Sequence, residues 1–187
     1  MNKWLLWLIL TGAVACQQPT ADTARYLFAG HTYDWQAQAG NRIDPRLEAW
    51  PLEEYDGIWL GGDVCARTTE HPATLDYLNT VFPFSKQKVD WALGNHDLKY
   101  GFSSKLEVLR GNPRYYTRWL DGILLLVLDT NIFQWPNARP DSVFCSLMEA
   151  QDELVRRVTD TVQEASHLVV LHHYNLLTTE IGDQQVD

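Results

Sequence analysis

A chain of 187 residues with 15 Lys and Arg against 24 Asp and Glu is long enough for one domain with a sizeable core, and too short for two of ordinary size. The net charge of −9 argues against a nucleic-acid-binding face, which needs a basic stripe to neutralise phosphates, so no duplex binding is expected. A hydrophobic share of 45% and a charged share of 21% are those of a globular protein and exclude wholesale disorder.

The first stretch, 1–16, reads as an export signal. Lys3 supplies the positive start, Trp4 to Leu10 is a short apolar run, and Ala13-Val14-Ala15 is a small-residue cleavage site. The run is too short to span a bilayer as a helix. Cys16 follows the small residues directly and resembles the lipidated cysteine of a bacterial lipobox, although Ala13 stands where that motif usually has Leu. The expectation is an exported protein, periplasmic or at the cell surface, anchored in the membrane through a lipid on Cys16. Residues 17–24 then form a polar tether, and 25–187 form the domain. Cys65 and Cys145 have no Cys-x-x-Cys spacing, and either a disulfide or two separate thiols is open to them.

From Arg25 onward, short apolar runs alternate with polar or helical stretches. Arg25 to Ala29 leads into Gly30-His31, and Tyr55 to Leu60 into Gly61-Gly62-Asp63. Val89 to Leu93 leads into Gly94-Asn95-His96-Asp97, Gly122 to Leu128 into Asp129-Thr130-Asn131, and His167 to Leu171 into His172-His173. Their length and their Leu, Ile, Val and aromatic content predict strands buried on both faces. Trp59, Trp91 and Trp119, in or beside apolar runs, are expected in the core.

Two helices are predicted between the strands. His71 to Phe82 has Pro72 near its start and Leu75, Leu78 and Phe82 at helical spacing. Glu149 to Ala165 is the better one, with Ser146 and Glu149 as a capping box and Leu154, Val155, Val158 and Val162 as its apolar stripe. Arg110 to Thr117 reads as a turn into a further strand at Tyr115-Tyr116. The alternation predicts an α/β layered architecture, in which ligands bind at the carboxyl ends of strands.

The strand-like runs end in polar, turn-forming or metal-competent residues. Asn and Asp are also ordinary turn formers, so each position alone is weak. Together His31, Asp63, Asn95, His96, His172 and His173 offer imidazole nitrogens and carboxylate oxygens that suit Zn, Fe or Mn. No Gly-x-x-x-x-Gly-Lys loop and no Gly-x-Ser-x-Gly elbow is present, which weighs against a nucleotide-binding module and a serine hydrolase.

Three stretches resemble the calcineurin-like metallophosphoesterases: Gly61-Gly62-Asp63 as the G-D element, Gly94-Asn95-His96-Asp97 as the G-N-H-D/E element, and Val169 to His173 as the strand ending in a metal-binding histidine. The resemblance implies a layered β-sandwich of mixed sheets flanked by helices. It implies two divalent metal ions (Mn, Fe or Zn) and hydrolysis of a phosphomonoester or phosphodiester through a metal-activated water. The substrate would be a phosphorylated small molecule, lipid or nucleotide. By position, Asp63 is similar to the bridging carboxylate, His31 to a ligand of the first metal, and Asn95 and His172 to ligands of the second. His173 is the neighbour between which and His172 the choice stays open. His96 is similar to the histidine beside the scissile phosphate, with Asp97 orienting it through a hydrogen bond. Loops Asp34 to Trp50, Lys99 to Arg114 and Phe133 to Ser142 would set specificity.

The chain departs from that pattern in two places. Ala29 stands where the family's D-x-H element has its carboxylate, and nothing after His173 matches the late G-H-x-H element. Ala66 stands where the purple-acid branch has a tyrosine. The expectation is therefore a C-terminally truncated or weakened phosphoesterase, or a non-catalytic surface lipoprotein that keeps the fold as a binding module.

Overall fold

The computed structural model describes residues 23–34, 40–133 and 142–174. The export signal, Cys16, most of the tether, Trp35, Trp135 and the polar end of the chain lie outside the described residues. Among the described residues, no helix is long and apolar enough to cross a membrane.

The protein is an α/β structure with two three-stranded sheets and several helices. Strand β1 (Tyr26–Ala29) is followed by the short helix α1 (Pro45–Glu48), then β2 (Gly57–Leu60), helix α2 (Pro72–Val81) and β3 (Val89–Trp91). The three strands pair in parallel in the order β1-β2-β3. Helices α3 (Asn95–Leu98) and α4 (Ser103–Arg110) come next, then β4 (Tyr116–Leu120), β5 (Ile123–Val127), the long helix α5 (Ser142–Thr161) and β6 (His167–Leu171). In the second sheet β4 and β5 are antiparallel, whereas β5 and β6 are parallel with α5 between them, as a parallel pair requires a crossover. The β4–β5 hairpin closes through Asp121-Gly122, both with positive φ (44° and 84°). That dipeptide is the usual signature of a two-residue hairpin turn.

Side-chain alternation explains how the layers stack. Ile58 and Leu60 of β2, with Leu27, Val89 and Trp91, pack against Leu75 and Leu78 of α2 and Leu106 of α4. Trp59, between them in sequence, points to the opposite face and stacks on Tyr26 with ring centroids 4.6 Å apart. Both rings join a second cluster with Leu125 and Val127 of β5 and Val169 and Leu171 of β6, so this core is shared by the two sheets. The alternate residues Leu124, Leu126 and Leu128 meet Leu154, Val158 and Val162 of α5. A polar tie also crosses between the sheets: buried Asp90 of β3 accepts the Tyr116 hydroxyl at 2.8 Å and faces Arg118 Nη1 at 3.3 Å. A buried carboxylate is tolerated because both of these donors come with it.

Several expectations change. Strands β2, β3 and β5 are buried on both faces, but β1, β4 and β6 are not: Phe28 is 64% exposed and Leu168 is 43% exposed. Trp119, on the hairpin, is 47% exposed and lies outside the core, unlike Trp59 and Trp91. Helix α5 begins at Ser142, so Ser146 lies inside it rather than capping it. Val155 leaves the stripe; residues 154, 158 and 162 follow one i, i+4 row, and a neighbour one position on is rotated away by about 100°. Cys65 is buried and Cys145 is exposed, and neither forms a disulfide.

Leu125 sits fully buried in the core shared by the two sheets. Leu125→Ala is expected to lower stability by about 2–5 kcal/mol through lost burial and a residual cavity, measured as a shift in the urea midpoint at unchanged slope.

Candidate metal centre

The site is assembled at the carboxyl ends of strands from both sheets. After β1 the chain turns at Gly30 and places His31 in the left-handed region (φ 48°), with its amide donating to Gly62 O at 3.1 Å. After β2, Gly62 (φ 91°) and Asp63 (φ 50°) are both left-handed. A non-glycine residue in that region is uncommon and costs roughly 1–2 kcal/mol, so Asp63 needs compensation there. Space also demands the glycines here: a Cβ on Gly62 would run into the His173 ring and the Gly94 nitrogen, and one on Gly94 would overlap the Asp63 carboxylate.

Compensation comes from Asp97. Its fully buried carboxylate accepts from the Asp63 amide (2.8 Å), the Val64 amide (3.2 Å), the Thr68 hydroxyl (2.7 Å), Trp91 Nε1 (3.1 Å) and the Gly94 amide (2.9 Å). Burial pushes its carboxyl up, while the Gly94 amide, Thr68 and Trp91 pull the other way. The expectation that Asp97 orients His96 is corrected: its two oxygens are occupied by these donors, and His96 Nδ1 instead bonds the Ala66 carbonyl at 2.8 Å. Asp97 thus holds backbone, not the imidazole.

Asp63 is the centre of the group. Oδ1 accepts the His96 amide at 2.9 Å, which leaves Oδ2 facing His31 Nε2 at 3.6 Å and His173 Nε2 at 3.4 Å. The side chains of Asp63 and His173 are each 3% exposed, whereas that of His31 is half exposed, so the group opens to solvent on the His31 side. Burial pushes the Asp63 carboxyl up, but the hydrogen bond and charge of His173 and the His96 amide more than offset it, leaving the pKa lowered. For His173, burial pulls down, and the bonds to Asp63 and to Gly61 O outweigh it, leaving the pKa raised. His173 Nδ1 donates to Gly61 O at 2.9 Å, which selects the tautomer whose Nε2 lone pair points at the group. Its backbone is pinned too: the His173 and Tyr174 amides donate to Thr130 Oγ1 at 3.2 and 2.9 Å.

One ligand atom from each of His31, Asp63 and His173 lies within 4.8 Å of the others, so these residues form a group that could hold a metal ion. Two imidazole nitrogens and a carboxylate oxygen are a donor set suited to borderline transition ions rather than to Mg or Ca. His31 and Asp63 are thus brought together as expected, and the histidine that joins them is His173. His172 bonds the Tyr174 carbonyl through Nδ1 at 2.8 Å and is not part of the group. Asn95 is half-buried at the start of α3, one residue before the His96 amide that holds Asp63. The His96 ring lies 6.4 Å from Tyr33, a buried ring that also stands 6.3 Å from His31.

Strand alternation separates the two histidines. Val169 and Leu171 face the core shared by the sheets, and stepping by two leads to His173. Thr130 and the Gly61 and Ala66 carbonyls carry no pattern that marks them as parts of a site. Asp129 and Asn131 serve as scaffold: Asn131 Nδ2 donates to Leu93 O at 2.7 Å and to Asp129 Oδ1 at 2.8 Å, tying the end of β5 to the end of β3. No protein-family model matches the chain, and no curated protein matches it.

Asp97→Asn replaces an acceptor oxygen by an NH2 group that must face at least two of the five donors. It is expected to cost about 3–5 kcal/mol of stability, as for one broken partner in a buried charged network, read as a lower thermal midpoint.

Proposed function

We propose that the chain is an exported, metal-dependent phosphoesterase acting on a phosphorylated small molecule, lipid or nucleotide. The observation that carries this reading is the meeting of His31, Asp63 and His173 at one strand edge, with His96 held against the same carboxylate. The layered arrangement, with helices outside two packed sheets, agrees with the sandwich that the resemblance implies. A divalent ion held by these residues would act as a Lewis acid and lower the pKa of a water, the attacking species of hydrolysis. The chain's own residues supply the rest. His173, fixed through Gly61 O and Thr130, and Asp63, fixed through Asp97 and the His96 amide, are pre-positioned ligands. His96, with Nδ1 committed to the Ala66 carbonyl, has Nε2 left to stabilise or protonate a leaving oxygen. The resemblance would add a second ion, with Asp63 bridging and Asn95 and His172 on the far side. Export and a lipid anchor on Cys16 are part of the proposal and rest on the sequence of residues 1–16.

A second reading, a non-catalytic surface lipoprotein that uses the fold for binding, is favoured by one observation: Ala29 contributes no donor, and its side chain packs on the helix-side core instead.

Two substitutions separate these readings. Asp63→Asn is expected to abolish both metal retention and turnover of an aryl phosphate. His96→Ala is expected to keep the metal and lower kcat by about 10²–10⁴-fold. Metal analysis and steady-state kinetics on the same preparations check both, and unchanged turnover in the Asp63 variant refutes the phosphoesterase reading.

A further inference from the structure

The resemblance puts His31 and the strand-end histidine on different ions that share Asp63. The donor separations lead elsewhere. With metal–ligand bonds of about 2.0–2.1 Å, two donors at a tetrahedral angle around one ion lie roughly 3.3–3.4 Å apart, and at a right angle about 2.9 Å apart. The observed separations from Asp63 Oδ2 are 3.4 Å to His173 Nε2 and 3.6 Å to His31 Nε2. The two imidazoles lie side by side, with centroids 5.0 Å apart and planes inclined by 29°, and all three donor atoms fall within 4.8 Å of one another. The other oxygen of Asp63 is committed to the His96 amide, so the structure designates which oxygen is offered. His172, the expected donor on the far side, does not join His31 and Asp63 in this group. Among the described residues, no second group of three His, Cys, Asp or Glu donors meets the same spacing.

We infer that His31, Asp63 and His173 bind a single divalent transition ion of tetrahedral preference, such as Zn2+, as one two-histidine, one-carboxylate centre. Three protein donors leave one position for a water or substrate oxygen, the pattern of open rather than structural zinc sites. This rests on the metal-centre part of the reading above and is independent of the phosphoester part.

The test uses the purified full chain, stripped with a chelator and reloaded with Zn2+ alone. Stoichiometry is measured by elemental analysis and calorimetric titration for the wild type, His31→Ala and His173→Ala, with circular dichroism as a check on folding. The expected result is one ion per wild-type chain. Each variant should lose at least about a hundredfold in Zn2+ affinity, more than the loss of an outer-shell partner causes. Two ions per wild-type chain, one ion kept at wild-type affinity by either folded variant, or no binding at all overturns the inference. The wild-type count decides the matter even if a variant fails to fold. One bound ion without phosphatase activity sinks the phosphoesterase reading and leaves the single-ion centre standing.

Discussion

The geometry of the site depends on a carboxylate outside the metal-binding group. Asp97 is sealed from solvent and gathers donors from three places: the loop after β2, Trp91 at the end of β3, and Gly94 at the entry to α3. Hydrogen bonds to a charged acceptor are worth more than neutral ones, and inside the protein they lose little to water. Together they outweigh the cost of holding His31 and Asp63 in left-handed backbone. The placement of Asp63 is therefore a consequence of how Asp97 pulls on its amide. The apparent turn chemistry of Gly94 to Asp97 is the visible end of this clamp.

His96 is tied to Asp63 by bonds of its own. The His96 amide donates to the Asp63 carboxylate, and the His96 ring is held by the carbonyl of Ala66, three residues beyond Asp63. His96 is thus tied by its backbone to the carboxylate at the centre of the group that could hold a metal, and by its ring to the loop that follows, through bonds that need no ligand. From the other side, Thr130 and Asn131 fasten the ends of β6 and β3 to the end of β5. Such cross-links suit a centre that must be in place before its ligand arrives, since catalysis gains from groups that need not reorganise.

Much of this was legible in the residues. Five of the strands described lie where short apolar runs end in glycine or polar residues, and β4 follows the turn predicted to lead into a strand at Tyr115-Tyr116. Helix α2 matches its predicted span within a residue, since Pro72 marks its first turn and Leu75 and Leu78 its buried side. Less legible was what depends on packing beyond the element itself. Trp119 and Phe28 are apolar and exposed, whereas Trp91 on the equally outer β3 is buried in the core beneath α2 and α4, so exposure follows what packs over each strand rather than composition. Val155 fits a stripe by spacing but falls outside the contact that α5 makes with β5. His172 and His173 are neighbours just past the end of β6, and the ring that meets Asp63 is set by the bonds of His173 to Gly61 and Thr130.

The sequence by itself determined the strand ends, the α/β alternation, and the candidacy of His31, Asp63 and His96. Those follow from local rules: period, turn propensity and the donor chemistry of single side chains. Only the tertiary structure decided that His173 rather than His172 joins Asp63. It also decided that Asp97 grips backbone amides instead of an imidazole, and that one oxygen of Asp63 faces both histidines. Those are decisions among groups separated by 30 residues or more in the chain, from Asp63 to His31 on one side and to His173 on the other. They are settled by which strand lies beside which and by the competition of buried donors for two carboxylates, quantities that no local pattern encodes.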